Sequence, residues 1–299
     1  MPGSARSKST AMRAGAIVVG AISLIALLSI EPPRHEDGGA RGRSLLTRLF
    51  LAWGPHDEDR AIQAPPAPPS GDHWLGTDIQ RRDLLSRVLH GARLSLAVGL
   101  SAEAIALLLG LSLGSLAGYY GGVVDAALMR AADILLAVPL PILAMAAIAV
   151  FDTRSITLVF VVLGLLGWAG IARLVRAQCL SLRGSGFSEA ARSAGASSTR
   201  AIVRHLLPNA AAPALVAATA GVAGNILTEA WLSFLGLGAQ PPAISWGRMI
   251  VDAQPEFTLR PWLGIVPGVA LVITVLGFVL LGDGLRDRLD PRTRIATHS

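Results

Sequence analysis

The chain has 299 residues, of which 52% are hydrophobic and 15% charged, with a mean hydropathy of +0.55. A soluble domain of this length carries about 25% charged residues, so the composition points to a polytopic membrane protein. The net charge of +6 rests on arginine, because Lys8 is the only lysine, and Cys179 as the only cysteine excludes intramolecular disulfides and a thiolate metal cluster.

In chain order, Met1 to Arg13 is polar and basic, and Ala14 to Ile30 follows as 17 residues without a charge. That length is near the lower limit of the roughly 17–25 residues of a spanning helix. Glu31-Pro32-Pro33 comes directly after it with no small-x-small cleavage site, so residues 1–30 read as a cytoplasmic tail and a retained first span. Residues 31–93 read as an extracytoplasmic linker. Pro32-Pro33 and the run Ala64-Pro65-Pro66-Ala67-Pro68-Pro69 favour extended polyproline geometry. Between them, Leu45, Leu46, Leu49 and Phe50 suit either a short interfacial helix or a loosely ordered linker. At its end, Thr77 or Asp78 can cap a helix with Leu84, Leu85, Val88 and Leu89 on its apolar face, an amphipathic lead into the next span.

Leu94 to Tyr120 is the second span, interrupted only by Glu103. Asp125, Arg130 and Asp133 then mark a short amphipathic helix leading into a third span, Ile134 to Phe151, which Pro139 and Pro141 should kink or interrupt near its beginning. Ser155 to Ala172 is the fourth span, residues 210–235 with Glu229 the fifth, and Pro261 to Gly282, kinked by Pro267, the sixth. The expected fold is therefore all-α, with six transmembrane helices. Residues 94–283 form a five-helix core, and 284–299 a basic tail. Ile171 to Asn209 holds six arginines (173, 176, 183, 192, 200 and 204) against the single acid Glu189, which places this segment, and with it both termini, in the cytoplasm.

The polar island Gly186–Asn209, GFSEAARSAGASSTRAIVRHLLPN, interrupts this apolar pattern. Ser188 is placed to cap a helix starting at Glu189, and Gly195 to stop it. A second helix would carry Ile202, Val203, Leu206 and Leu207 on its apolar face and end at Pro208. Physical reasoning alone leaves a membrane-surface connector and a docking element both open. The residue order Glu189-Ala190-Ala191, Gly195 and Leu206-Leu207-Pro208 resembles the cytoplasmic signature loop of ABC importer permeases, E-A-A, a glycine and I-x-L-P, with His205 or Leu206 near the isoleucine position.

Further segments are similar to the dipeptide, oligopeptide and nickel branch of that family, in the subunit type with G-T-D-x-x-G-R-D. They are Gly76-Thr77-Asp78 with Arg82-Asp83, followed by Ser86-Arg87, Gly91 and Arg93-Leu94-Ser95-Leu96, then Leu232-Ser233-Phe234-Leu235-Gly236-Leu237-Gly238, Pro241-Pro242 and Ser245-Trp246-Gly247. Arg81 departs from the pattern, standing where the family has glycine.

The resemblance implies a type I importer permease that pairs with a related permease subunit, two ATP-binding subunits and an extracytoplasmic substrate-binding protein. It implies that Glu189, Ala190, Ala191, Gly195, Leu207 and Pro208 form the ATPase-coupling element. ATP and Mg would then sit on the partner subunits, no cofactor on this chain, and the protein in the bacterial inner membrane. The absence of a phosphate loop agrees, since Lys8 follows no Gly-rich turn. The arginines around the coupling element would meet acidic ATPase surface or anionic lipid headgroups.

Glu229, Ser233 and Trp246 are candidates for a translocation path or gate. Glu103 reads more simply as a carboxyl hydrogen-bonded between helices. Six histidines without ligand spacing argue for no metal site, and nothing points to a catalytic residue or a nucleic-acid partner. Two rivals remain at this stage: an ion-gradient-driven secondary transporter using Glu103 and Glu229, and a membrane scaffold whose basic loop binds a partner. The substrate stays open among peptides, nickel chelates, sugars and similar solutes.

Overall fold

Apolar segments without access to water must satisfy their backbone groups internally, and helices do so within one segment. The computed structural model describes residues 3–29, 54–59, 62, 65–151, 155–183 and 202–289. Among these, the regular elements are all helical, and the strand-like pairings are two isolated bridges, Glu58 with Arg82 and Thr77 with Asp83. The helices are α1 (Gly3–Leu28), α2 (Leu84–Tyr120), α3 (Gly122–Leu136), α4 (Leu140–Val150), α5 (Ile156–Arg183), α6 (Leu207–Phe234), α7 (Trp246–Ala253) and α8 (Trp262–Leu289). A π-helical turn, Ile202–Leu206, leads into α6. Five helices are long and apolar enough to cross a membrane: α1, α2, α5, α6 and α8. The pair α3 and α4, bent by 91° at the break between them, supplies a sixth.

The order of close contacts sets the directions. Gly110, Gly114 and Gly118 of α2 meet Ile171, Ala172 and Cys179 of α5 in ascending order, so these two helices run parallel. A Cβ on Gly114 would come within 2.5 Å of the Ala172 carbonyl oxygen, and so glycine is what permits the approach. Gly99 and Glu103 of α2 face Ile226 and Gly221 of α6, which runs the other way. Helices α1 and α8 are antiparallel, with Met12 beside Gly284. The start of α1 and the end of α8 therefore lie at the end of the bundle where α5 finishes and α6 begins, here called the lower end. Residues 54–83 and 235–261 occupy the upper end.

Helix α2 is the central member. Its 37 residues span about 55 Å at 1.5 Å per residue, well beyond the ~30 Å of a hydrocarbon layer. Its first turns, with Arg87, His90 and Arg93, can thus stand clear of the apolar layer. Toward the upper end, Leu84, Val88, Ala92 and Leu96 pack with Ile226, Trp246, Met249, Leu263, Leu271 and Phe278. Further down, Val98 and Ala102 pack with Ala144, Ile148, Val159, Val162, Leu163 and Leu232. At the lower end, Ala106 joins Ile171, Val175, Cys179, Ile202, Leu206, Ala210 and Ala214. Cys179 is a buried packing residue there, as its small size suggests.

Three sequence expectations change or narrow. The segment expected as an amphipathic lead into the second span is continuous with it, and Asp83, rather than Thr77 or Asp78, is its N-cap. Thr77 is drawn away because its Oγ1 accepts from the Ala67 N–H at 2.9 Å. The third span is interrupted rather than merely kinked, the second of the two outcomes its prolines allow. Pro139 lacks an N–H and disfavours helix at the preceding residue, so α3 ends and α4 restarts with Pro139 as its N-cap. The sixth span extends from Trp262 to Leu289, beyond the expected end at Gly282, with Pro267 inside one helix. Residues 31–53 of the linker and 290–299 of the basic tail lie outside the described residues.

Candidate functional site

Of the coupling residues, Glu189, Ala190, Ala191 and Gly195 lie outside the described residues, while Leu207 and Pro208 open α6. Pro208 does not end a helix as expected. It sits in the first turn of α6, where a missing N–H breaks no intrahelical bond. The π-helical turn before it buries Ile202 and Leu206 against Ile171, Val175 and Ala210, but leaves Val203 exposed rather than on the apolar face.

Two of the six arginines expected to serve partners or lipid have partners within the fold. Arg173 pairs with Asp133 and Arg176 forms a two-nitrogen contact with Asp125, tying α5 to α3. That pairing was hidden in the sequence because the acids lie 40 and 51 residues upstream.

At the upper end, Glu229, Ser233 and Trp246 do come together, through a residue the sequence did not single out for a role. Glu229 Oε1 accepts from Ser233 Oγ at 2.7 Å and from Ser245 Oγ at 2.9 Å. Ser233 Oγ in turn accepts the Ala239 N–H at 3.1 Å, and Ser245 Oγ accepts the Arg248 N–H at 3.1 Å as the N-cap of α7. The next residue, Trp246, donates its indole N–H to the Val88 carbonyl at 2.8 Å and its backbone N–H to Ser95 Oγ at 3.2 Å. Helix α7 is thereby held to both α6 and α2. Glu229, Ser233 and Trp246 are all buried, with 1%, 1% and 2% exposure. An unpaired carboxylate at such a place is costly, and two hydroxyl donors on one oxygen offset that cost.

Glu103 bridges helices as read from the sequence: its Oε2 accepts from Asn225 Nδ2 at 2.9 Å, against Gly221. Asn225 was missed, although a lone amide one turn before Glu229 in an apolar run is itself a signal of an interhelical bond.

The G-T-D segment forms a second polar knot. Asp78 accepts the Gln80 and Arg82 N–H groups at 2.8 and 3.0 Å and the side chain of Arg82 at 2.8 Å, with Arg87 at 3.3 Å. Asp83 caps α2 through the Ser86 N–H at 2.7 Å and faces His73 Nδ1 at 3.0 Å, while His73 Nε2 faces Asp59 at 3.3 Å. Arg81, the departure from the family pattern, has φ 61°, the left-handed region that suits glycine, and its Nε is buried without a hydrogen-bond partner. Among the described residues, no group of three His, Cys, Asp or Glu side chains could hold a metal ion.

Residues 110–295 match the model of the binding-protein-dependent transport system inner membrane component family. The chain is 43% identical over 226 residues to the dipeptide transport system permease protein DppC of Alkalihalophilus pseudofirmus, covering 76% of this chain and 74% of that protein. It is 41% identical over 227 residues to the oligopeptide transport system permease protein OppC of Bacillus subtilis, with 76% and 74% covered. It is 42% identical over 226 residues to the glutathione transport system permease protein GsiD of Pectobacterium atrosepticum, with 76% and 75% covered. Neither the secondary-transporter nor the scaffold alternative gains support from these likenesses. Six apolar spans and these relatives converge: the chain belongs to the binding-protein-dependent inner membrane components, as a multi-pass permease subunit of an ABC importer of the dipeptide/oligopeptide branch.

Proposed function

We infer that this permease carries peptides or similar small solutes across the cytoplasmic membrane, driven by ATP hydrolysis on two separate ATP-binding subunits. It pairs with a second, related permease subunit and receives solute from an extracytoplasmic binding protein. ATP and Mg are held by the ATPase subunits, and this chain holds no cofactor. The lower end, with both termini, faces the cytoplasm. The substrate class is supported by the relatives' names, which specify dipeptide, oligopeptide and glutathione transport. None of the three names nickel.

The observation that carries the coupling assignment is the residue order between α5 and α6: Glu189-Ala190-Ala191, Gly195, and then Leu207-Pro208 at the start of α6. Small side chains such as those of Ala190 and Ala191 suit a close partner surface, and the chain has no phosphate loop of its own. Glu229, Ser233 and Trp246 then act by positioning α7 and the 236–245 loop near the upper end of the path rather than by touching solute. Their burial supports that role.

The test is Gly195→Asp in the complete importer, reconstituted with its ATPase subunits and binding protein. Uptake of a peptide mixture should fall to background while membrane insertion and assembly of the permease pair persist. Normal uptake by this variant would remove the coupling assignment.

A further inference from the structure

At the upper end the end of α1, the 54–59 segment, one face of α2 and the 242–244 stretch border an open cavity of about 320 Å³. That lies within the size range of small-ligand sites, roughly 300–1,000 Å³. Ser29, His56, His90 and Arg93 supply its polar lining; Leu94, Ala97, Pro242 and Ile244 supply apolar wall. Among the described residues, the lining contains no carboxylate. Arg93 is exposed and has no ion pair among the described residues, unlike Arg82, Arg87 and Arg248 nearby, each of which faces an aspartate.

The walls are anchored. Ser29 Oγ donates to the Leu89 carbonyl at 3.3 Å, fixing the end of α1 to α2. His90 Nδ1 lies 2.8 Å from the Ser86 carbonyl. The 242–244 stretch precedes Trp246, whose indole is held on Val88. From Arg93 the exposed positions of α2 continue at Ala97, Leu100, Ala104, Leu108 and Ser112, an open stripe down the helix toward the lower end.

We propose that this cavity is a carboxylate-binding subsite, with Arg93 as the anion ligand and the apolar wall receiving the adjoining carbon chain. The proposal rests on the solute-carrying reading of the previous subsection, and it assigns this upper chamber the free carboxylate of a short peptide. A guanidinium presents paired N–H donors that match a carboxylate, and such charge-assisted contacts are stronger than neutral ones.

The test uses the assembled importer in nanodiscs, without binding protein, and titration calorimetry with dialanine, dialanine amide and succinate. Dialanine should bind about tenfold more tightly than its amide, the order of effect expected of one charge-assisted contact. Arg93→Gln should abolish that preference, and Arg93→Lys should retain part of it, with complex assembly checked by size exclusion for both. Equal affinity for acid and amide in the wild type, or a preference that survives Arg93→Gln, overturns the subsite. Arg93-dependent succinate binding with no binding of either dialanine form would uphold the subsite and remove the peptide reading. Raising the phosphatidylglycerol content of phosphatidylcholine nanodiscs should leave carboxylate affinity unchanged. Competition by that lipid would show that Arg93 serves a headgroup and would overturn the proposal.

Discussion

The two ends of the bundle treat their charges differently. At the upper end the charges of the G-T-D segment are largely turned on one another within a few residues: Asp78 with Arg82 and Arg87, and His73 between Asp59 and Asp83. Glu229 is likewise satisfied by hydroxyls from α6 and from the cap of α7. At the lower end Arg176 and Asp125 form a partly shielded pair, but Arg173 and Asp133 are 49% and 51% exposed, and Arg204 is exposed beside Val203. A polar group buried in a satisfied network resists rearrangement because moving it leaves donors or acceptors unpaired. The upper end is therefore built to hold α2, α6 and α7 in one relation. The lower end leaves Arg173 and Arg204 accessible. The family motifs of the upper end work within the fold, closing it through Asp78, Asp83 and Ser245.

The strongest way to break this contrast is at Glu229. Replacing it with alanine leaves the Ser233 and Ser245 hydroxyls without their acceptor in a buried site and opens a void, which should destabilise the permease by about 3 kcal/mol. Thermal unfolding of the purified assembly would report this as a lower midpoint, with earlier proteolysis between α6 and α7. Glu229→Gln retains an acceptor oxygen and should lose much less. Equal behaviour of the two variants would mean that charge, not hydrogen bonding, matters at this position.

Arg81 sharpens the comparison from the other direction, since it is the one flaw found in the upper knot. Its positive φ and its unpartnered buried Nε are both penalties that glycine would remove. Arg81→Gly should therefore stabilise the upper end by about 1 kcal/mol, less the extra backbone entropy glycine brings to the unfolded chain. Hydrogen exchange of the Asp78–Asp83 amides is the measurement, and slower exchange is the expected result. Faster exchange would show that the arginine stem contributes packing that outweighs the strain.

Much of this was legible in the sequence, and for identifiable reasons. Uncharged runs of spanning length mark helices directly, so α1, α2, α5, α6 and α8 were expected close to where they lie. Glu103 and Glu229 stood out because a carboxylate within such a run must find a partner. The partners did not stand out: Asn225 is 122 residues from Glu103, and Ser245 is 16 from Glu229 across a loop. The cap of α2 was misplaced because Thr77, Asp78 and Asp83 are all good caps locally. The tertiary bond from Ala67 to Thr77 and the arginines on Asp78 decide among them. Pro139 announced a disturbance in the third span, but a single sequence carries no information on a 91° turn, which depends on how α3 packs on α5.

That packing leads to the smallest effect, at the lower end. Arg173 and Asp133 connect α5 to α3, and both are about half exposed, so water competes for each charge and holding two side chains together has an entropic cost. A double-mutant cycle of Arg173→Ala and Asp133→Ala in the isolated chain should give a coupling of only about 0.5 kcal/mol, decreasing further with added salt. The same cycle in the assembled importer makes the measurement informative. If partner subunits cover this surface, as the accessible charge of the lower end suggests, the pair loses its water and its coupling should rise and become less sensitive to salt. An unchanged coupling on assembly would place the α3–α5 surface outside the subunit contacts, and the contrast between the two ends would then rest on the 184–201 segment alone.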